Sequence, residues 1–345
     1  MTAVVGIDQG PVSAWFEENI AGAEPPFAFE LIAGGHSNLT YRVTGSGGSR
    51  YVLRRPPLGS VLATAHDMAR EHKIITAVGN TTVPVPATLG LCTDQTVNGM
   101  PFYVMSFVDG PVLHDAEITR AELPSPGARR TLSQAVVTVL AELHQADPNA
   151  IGLGDLSRRD GYLDRQLKRW KTQWESSKTR DLPAMDRAYE LLIEAKPEQR
   201  HTGVVHGDYR LGNMLIEVAS GSVAAVLDWE LCTLGDVLAD VGYLLNSWTQ
   251  PGETSDRDVT LAPTTGGGFT TREELIDAYS TATGFEVTNA GYYRAFQYWR
   301  LAAIAEGVYA RYQKGVMGGD LDATSDYPTR VESMATEALN LLATV

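Results

Sequence analysis

The first third of the chain alternates apolar and polar residues at the two-residue period typical of β-strands. Between two of these segments, the glycine-rich stretch 45–49 predicts a hairpin turn, because glycine adopts positive φ without strain. A later segment begins with Pro84 and Pro86, which tolerate only the start of a strand or the edge of a sheet. The pattern predicts strands within residues 27–35, 38–45, 50–57, 83–92 and 100–110.

Helical spacing replaces this alternation after residue 109. Apolar residues recur every three or four positions from Leu132 to Leu143 and from Leu163 to Trp174, as expected of helices that bury one face. Within this region, residues 214–218 and 223–229 predict a short β-ribbon. The other predicted helices lie at residues 12–21, 63–78, 238–248, 272–283 and 291–313.

The order of these elements predicts an α+β fold with two unequal lobes. A strand-rich lobe of residues 1–108 with one main helix precedes a larger, mostly helical lobe of residues 109–345. The composition is that of an ordinary globular protein, since 43% of the 345 residues are hydrophobic and 20% are charged. We expect the ligands in a cleft between the lobes.

The charge balance is acidic, with 42 Asp and Glu residues against 28 Lys and Arg residues and a net charge of −14. Nucleic acids and anionic membranes would repel such a surface, so we expect neither as a partner, and no obligate protein partner is indicated. Cys92 and Cys232 lack the paired spacing of a zinc or redox motif. Because the chain shows no targeting segment and no apolar run near the ~20 residues of a membrane span, we expect a cytoplasmic protein.

The most informative stretch, VVHGDYRLGNML at 204–215, interrupts an apolar run with His206, Asp208 and Asn213, and a later apolar run is broken by Asp228. Carboxylates flanked by apolar residues are costly unless they have partners. Mg²⁺ prefers one or two carboxylate or amide oxygens and leaves other positions to phosphates. The sequence therefore predicts Asn213 and Asp228 as magnesium ligands. Asp208 is predicted to accept a proton from a nucleophilic hydroxyl.

The order HGDYRLGN followed by LDWE resembles the protein-kinase pattern H-R-D-L-x-x-x-N followed by a metal-binding Asp, with Gly207 in place of the Arg. This version resembles the aminoglycoside phosphotransferase and choline kinase-like family, which phosphorylates small molecules. The resemblance implies a bilobal protein-kinase-like fold, with an antiparallel sheet and one main helix in the small N-terminal lobe and a short β-ribbon in the helical lobe. The segments VLRRPPLGS and LDWELCTLGDVLADVGYL look most like the branch related to kinase domains fused to acyl-CoA dehydrogenases.

The resemblance also implies which residues bind the nucleotide and which support the catalytic loop. Arg54 stands where kinases place the strand lysine that holds the α- and β-phosphates, and Glu71 is its expected partner. His206 and Asp240 are expected to brace the loop. Further nucleotide contacts are expected from Gly35, Ser37 and Asn38 and from the backbone of Ser106 and Val108.

The predicted function is that of an ATP- and Mg²⁺-dependent phosphotransferase with an alcohol group as acceptor. The acceptor is a hydroxyl-bearing small molecule, either hydroxyacyl-CoA-like or aminoglycoside- or macrolide-like. A nucleotide-binding pseudoenzyme or regulatory module on the same fold is the alternative, and a metal hydrolase using His206 is another. Asp and Asn are also common turn residues, so each position has a purely structural interpretation.

Two helical surfaces bear on the acceptor. The basic segment 158–178 would suit an anionic substrate, or it is simply a solvated helix face. Tyr292, Phe296 and Trp299 share one face of a helix and form either a substrate wall or part of the core.

Overall fold

The computed structural model describes residues 4–33, 38–58, 67–253, 262–315 and 325–344. The chain divides into two compact units. Unit one comprises Met1–Asp109 and Ala224–Glu230, and unit two comprises Gly110–Val223 and Leu231–Val345. The sequence-based boundary after residue 108 did not foresee that a later segment belongs to unit one. The functional division into two lobes stays a prediction.

Unit one is built on a five-stranded antiparallel sheet. The strands are β1 (Ala28–Ala33), β2 (Leu39–Thr44), β3 (Arg50–Arg55), β4 (Thr88–Cys92) and β5 (Phe102–Ser106). Their order across the sheet is β1-β2-β3-β5-β4, so the strand entered through prolines lies at an edge. The predicted hairpin joins β2 to β3, and in it the Gly45 N–H donates to the Ser49 carbonyl at 2.9 Å.

One face of this sheet carries an apolar core. Helix α1 (Gln9–Asn19) supplies Phe16, which belongs to one buried cluster with Leu53 and Phe102. Because neighbours on a strand point to opposite faces, Leu53 and Arg55 lie on this side of β3 and Arg54 lies on the other. Arg55 is buried and donates to the backbone carbonyls of Gly6 and Pro56, so it is not the solvated charge typical of its residue type.

Helix α2 (Met68–Val78) contacts β4 and β5. Asp67 caps its N-terminus by accepting a hydrogen bond from the Arg70 N–H at 2.9 Å. Glu71 lies among the buried residues of this helix with Ile74 and Ile75. A carboxylate on a buried helix face is stable only with a partner, which the candidate site supplies. A single short turn of helix, α3 (Gln95–Asn98), precedes β5.

Unit two is mostly helical. Its helices are α4 (Ala116–Glu122), α5 (Pro126–Gln145), α6 (Tyr162–Ser177), α7 (Pro183–Glu194), α8 (Leu238–Ser247), α9 (Arg272–Thr283), α10 (Ala290–Gln313) and α11 (Tyr327–Leu342). Later strands of the chain are β6 (Thr202–Val205), β7 (Met214–Glu217), β8 (Ser222–Val226) and β9 (Thr233–Asp236). β7 and β8 lie where the ribbon was predicted, whereas the antiparallel pair β6 and β9 was not foreseen.

Helix α10 is central to unit two and packs against α6, α8 and α11. Its close approach to α8 requires Gly242, because a Cβ at that position would lie 2.6 Å from the carbonyl carbon of Tyr293. Tyr292, Phe296 and Trp299 are fully buried. The aromatic face is therefore core packing and not a substrate wall. Among the described residues, none of the helices combines the length and apolar character needed to cross a bilayer.

The basic residues of α6 have local partners. Lys171 pairs with Glu175 at 2.7 Å and also with Asp186, and Lys178 pairs with Glu175 at 3.0 Å. The guanidinium of Arg169 lies over the Trp170 ring at 4.9 Å. These contacts favour the interpretation of segment 158–178 as a solvated helix face.

The carboxyl group of Asp236 provides a pH-dependent term in the stability of unit two. It is fully buried at the end of β9, where the Tyr293 hydroxyl donates to Oδ2 at 2.7 Å and the Leu238 N–H donates to Oδ1 at 3.2 Å. Burial raises the pKa of Asp236 to about 6, which the Tyr293 bond opposes. In the unfolded chain the Asp236 carboxyl has a pKa of ~3.9. As the pH rises, it therefore loses its proton at a lower pH in the unfolded chain than in the folded one. This group destabilises the fold progressively as the pH rises towards about 6.

We predict that Asp236→Asn, which carries no titrating proton, gains stability relative to the natural chain as the pH rises. Between ~pH 4.5 and ~pH 7 the difference in the free energy of unfolding should change by on the order of 2 kcal/mol in favour of the variant. Urea unfolding of both proteins at each pH measures this difference, in which the other carboxylates cancel. A difference that does not vary with pH would contradict the prediction.

Candidate functional site

In unit one, the guanidinium of Arg54 on β3 pairs with carboxylates from helix α2 and from the segment that follows β8. Its Nε lies 3.2 Å from Oε1 of Glu71 on α2, and its Nη2 lies 2.6 Å from Oδ1 of Asp228, which follows β8. Oε2 of Glu230 is 3.9 Å from the same Nη2. The structure thus brings together Arg54, Glu71 and Asp228, three residues that the sequence assigned to phosphate and metal binding.

The charges of this cluster depend on one another. The side chains of Arg54 and Glu71 are 11% and 3% exposed. Burial alone would lower the pKa of Arg54, but Glu71, Tyr103 and Asp228 raise it above its ordinary value. Burial also raises the pKa of Glu71, and the Arg54 guanidinium opposes this. Arg54 therefore stays charged, and neither it nor Glu71 is stable in this position alone.

Polar neighbours complete the cluster. The Tyr103 hydroxyl donates to Oε1 of Glu71 at 3.1 Å, and Nδ2 of Asn38 donates to Oε2 of Glu71 at 3.3 Å and to Oε2 of Glu230 at 3.4 Å. Asn38 was predicted to donate to a phosphate, whereas these contacts direct its amide towards carboxylates. The other two residues predicted in that loop, Gly35 and Ser37, lie outside the described residues.

Asp228 has an unusual backbone conformation. Its φ is 64°, in the left-handed region, where Asp and Asn are the side chains best tolerated after glycine. Such a conformation costs on the order of 1 kcal/mol and persists where surrounding contacts enforce it. The bond to Arg54 and the bond from Nε1 of Trp229 to the Val226 carbonyl (3.0 Å) are such contacts. The Asp228 side chain is 29% exposed.

Ser106 and Val108 lie at and just beyond the end of β5. The Ser106 N–H donates to the Ala87 carbonyl at 2.8 Å, and its Oγ accepts from the Ala87 N–H at 2.9 Å. A backbone contact from Ser106 to a nucleotide would therefore use its carbonyl oxygen. Val108 is half-buried.

In unit two, the loop after β6 places Asp208 against Asn213. Nδ2 of Asn213 donates to the Asp208 carbonyl at 2.9 Å and to its Oδ2 at 2.6 Å. Because these bonds use the nitrogen of the amide, they direct its oxygen away from Asp208. Nε of Arg210 lies 3.3 Å from Oδ1 of Asp208. The Asp208 side chain is 20% exposed, so its carboxylate is held on two sides while remaining partly open to solvent.

Asp240 of α8 holds the backbone of the same loop. Its Oδ2 accepts from the His206 N–H at 2.6 Å, and its Oδ1 accepts from the Gly207 N–H at 2.8 Å. Nε2 of His144 lies 3.3 Å from Oδ2. Burial would raise the pKa of Asp240, but His144 and the backbone donors lower it below its usual value. Nδ1 of His206 accepts from the Asp208 N–H at 3.2 Å.

Gly207 occupies a position that a larger residue could not. Its φ is +87°, and a Cβ there would lie 2.9 Å from the Leu231 carbonyl oxygen. This close approach is the local reason why Gly stands where the kinase pattern has Arg. The positive φ and the close approach both follow from the turn that brings the Asp208 backbone N–H to the His206 ring.

Two residues of this site were missed from the sequence. Arg300 of α10 is buried and donates from Nη2 to the Gly207 carbonyl at 2.9 Å, with Gln297 bound to its Nη1 at 2.9 Å. Tyr243 of α8 lies beside the Asp208 carboxylate. Burial raises the pKa of the Tyr243 hydroxyl, and the Asp208 carboxylate raises it further. The signal available in the sequence was the pair of polar residues at positions 297 and 300, which lie three positions apart in a helix rich in apolar and aromatic residues.

The predicted magnesium ligands belong to different units, Asn213 to unit two and Asp228 to unit one. Each offers a hard oxygen donor of the type that Mg²⁺ prefers. In the part of the chain that the structure describes, no group of three or more His, Cys, Asp or Glu residues is suited to a metal ion. Two protein ligands are nevertheless the usual number where phosphates complete the shell. The donor chemistry therefore fits magnesium bound with a nucleotide.

The chain was compared with known proteins. The profile of the phosphotransferase enzyme family matches residues 28–279. This chain belongs to the phosphotransferase enzyme family. The resemblance noted from the HGDYRLGN motif is thereby confirmed.

Relatives of this phosphotransferase-family chain include much longer proteins. Acyl-CoA dehydrogenase family member 10 of Mus musculus is 36% identical over 309 residues, which are 87% of this chain and 28% of the relative. Acyl-CoA dehydrogenase family member 11 of Gallus gallus is 33% identical over 331 residues, 94% of this chain and 41% of the relative. The chain spans less than half the length of these curated relatives. The predicted likeness to kinase domains fused to acyl-CoA dehydrogenases is confirmed.

Solved structures confirm the kinase-like α+β fold of this family member. A candidate aminoglycoside phosphotransferase from Ralstonia eutropha JMP134 superposes with a TM-score of 0.82, at 32% identity over 98% of both chains. Choline kinase from Cryptosporidium parvum Iowa II superposes with a TM-score of 0.64 over 96% of both chains. At 14% identity, that second likeness concerns the fold alone.

We predict that Arg54→Met lowers the free energy of unfolding by ~3–5 kcal/mol, because it leaves buried Glu71 and partly buried Asp228 without their cation. The matched control is Arg42→Met in β2 of the same sheet. Arg42 pairs with Glu30, but these side chains are 37% and 60% exposed, so its loss should cost less than ~1 kcal/mol. Equal effects of the two substitutions in urea unfolding would contradict this account of the cluster.

Proposed function

We propose that the chain is an ATP- and Mg²⁺-dependent phosphotransferase that moves the γ-phosphate to a hydroxyl group of a small molecule. The observation that carries this proposal is the pairing of Asp208 with Asn213. The Asn213 nitrogen fixes both the backbone and the carboxylate of Asp208, while its amide oxygen is directed elsewhere. An ordinary turn residue does not need a second, buried carboxylate to hold its loop, as Asp240 does here.

In the proposed reaction, Asp208 orients the acceptor hydroxyl and takes up its proton. Arg54 binds the α- and β-phosphates, for which a guanidinium is well shaped. Asn213 and Asp228 are the proposed ligands of Mg²⁺, which when bound neutralises charge on the phosphate oxygens. His206, Asp240 and Glu71 keep these groups in position. This assignment of magnesium rests on the order of the motif along the chain.

The adenine base and the remaining phosphate contacts are assigned to unit one. We propose that adenine binds to the Ser106 carbonyl and to the backbone of Val108. Gly35, Ser37 and Asn38 are proposed to contact the phosphates. Two proteins of the same fold support the use of nucleotide and divalent cation, since an amicoumacin kinase was solved with AMP-PNP and Ca²⁺ and the phosphotransferase APH(4)-Ia with ADP and hygromycin B.

The acceptor belongs to one of two classes in this proposal, hydroxyacyl-CoA-like compounds or aminoglycoside- and macrolide-like compounds. The relatives named acyl-CoA dehydrogenase family members support the first class. The phosphotransferase structures solved with antibiotics support the second, at less than 20% identity. ADP release across a panel of hydroxyl compounds from both classes separates them.

We predict that Asp208→Asn loses ~10²- to 10⁴-fold in kcat, because the amide cannot accept the hydroxyl proton. Nucleotide binding should survive, so Mg-ATP at ~100 times its Kd should still stabilise the variant by ~2.7 kcal/mol. Exposed Asp160→Asn serves as the control and should behave as the natural chain does. Mg-ATP stabilisation without turnover on any acceptor would favour the pseudoenzyme, and full activity of Asp208→Asn would remove Asp208 as the base.

A further inference from the structure

A pocket of about 390 Å³ in unit two begins at the side chains that contact Asp208. Arg210, which lies 3.3 Å from the carboxylate, and Tyr243, which lies beside it, both line this pocket. The wall also includes apolar side chains, among them Leu113, Leu211 and Leu301. A molecule in this pocket would thus have one end near the proposed base and an apolar portion against the wall.

A second pocket of about 600 Å³ adjoins the first. The two meet at Asn246, Thr249 and Arg330, which line both. Pockets of a few hundred Å³ hold drug-sized ligands. The pair is therefore long enough to hold an extended molecule, with its two ends in different surroundings.

Arg294 gives the second pocket its chemical character. Its Nε donates to Oδ1 of Asn246 at 3.0 Å, and the Tyr298 side chain lies nearby. Among the described residues, no carboxylate oxygen lies within ion-pair distance of its guanidinium, and Glu337 acts on it only from further away. Burial lowers the pKa of Arg294, and the neighbouring Arg272 lowers it further. A partly buried guanidinium in this state gains from an anionic ligand.

Glutamates also line the second pocket, and of these Glu337 is half-buried and accepts a hydrogen bond from Nδ2 of Asn340 at 3.3 Å. Arg272 forms a two-point ion pair with Glu253, so that acid does not neutralise Arg294. Glu332 is exposed to solvent. Arg330 is 46% exposed, and its contact with Asp326 is 3.4 Å long, which leaves it able to turn towards a ligand in either pocket.

We propose that the two pockets form one site for an elongated acceptor, whose hydroxyl lies at Asp208 and whose remote anionic group, a carboxylate or a phosphate, is bound by Arg294 and Arg330. This inference rests on the proposed phosphotransfer and narrows its acceptor. A polycationic acceptor finds two arginines where its amines would have to lie.

The test uses ω-hydroxyalkyl compounds of increasing chain length in four matched forms, namely carboxylate, phosphate, neutral amide and cationic amine. ADP release gives kcat/KM for each. At the best chain length, we expect an anionic form to exceed the amide by about tenfold or more, as charge-assisted hydrogen bonds do. Comparison of carboxylates with phosphates identifies the anion. An amide or amine that equals the anionic forms would overturn the proposal, and so would a failure of every anionic form to be phosphorylated.

Arg294→Gln should reduce the ratio of anion to amide to within about threefold while changing kcat/KM for the amide little. Arg294→Lys should restore part of the preference, because charge is retained and the planar fork is lost. Arg187→Gln, at an exposed ion pair on α7, is the control and should leave the ratio unchanged. If Arg294→Gln does not fold, Arg330→Gln is expected to lower the same ratio. An unchanged ratio in these variants would contradict the assignment.

The outcome is separable from that of the proposed function. If only the acceptor inference fails, Mg-ATP still stabilises the chain and Asp208→Asn still abolishes turnover on whichever acceptor is used. If the phosphotransfer proposal fails, either the Mg-ATP stabilisation is missing, or Mg-ATP stabilises the chain and no acceptor of any form is phosphorylated.

Discussion

The buried carboxylate of Asp240 is the constraint on which the loop that carries Asp208 depends. It accepts hydrogen bonds from two backbone N–H groups, those of His206 and Gly207, which have no partner within a strand or helix. An unpaired buried N–H costs ~1–3 kcal/mol, so the loop conformation is costly without this acceptor. His144 then links the carboxylate to the Tyr279 hydroxyl of α9 at 2.7 Å. The position of Asp208 thus depends on α5, α8 and α9 as well as on its own loop.

Arg300 restrains the same loop through the peptide group on the other side of Gly207. Asp240 binds the N–H of Gly207, and Arg300 binds its carbonyl, so the peptides on both sides of Gly207 are fixed. The guanidinium is itself held by Gln297 and lies 5.4 Å from the Trp170 ring. Where the kinase pattern places an arginine next to the catalytic Asp in sequence, this chain supplies one from a helix 93 residues later. Gly207 leaves space for the tight turn of the loop, and Arg300 of α10 provides the positive charge.

Sequence patterns predicted the elements whose signals are local. The strands from β1 to β5 and helices such as α5, α6 and α10 show clear alternation or helical spacing, and the HGDYRLGN motif carries its chemistry within ten residues. β6 and β9 are four residues each, too short for a period to stand out, and each pairs with a strand that is distant in sequence. Helices α4, α7 and α11 have recognisable apolar positions but no nearby motif that made them relevant to function.

Within the candidate site, the same distinction separates what was foreseen from what was not. Arg54, Glu71, Asp208 and Asp240 could be named because each stands at a fixed interval from a recognised motif. The bond between Arg54 and Asp228 joins residues 174 positions apart, and that between Asn38 and Glu230 joins residues 192 apart, so neither has a local signature.

The residues proposed to recognise the acceptor likewise have no local signature in the sequence. The residues around the two pockets come from loops and helices between positions 113 and 340 that no spacing rule connects. Their chemistry becomes visible only when the fold shows which arginine already has a carboxylate and which does not. Arg272 and Arg294 are indistinguishable by residue type, yet the first is neutralised by Glu253 and the second has an amide and a phenol as its neighbours. In this proposal, the acceptor class thus depends on an arginine without a carboxylate partner, whereas the reaction type was inferred from the motif alone.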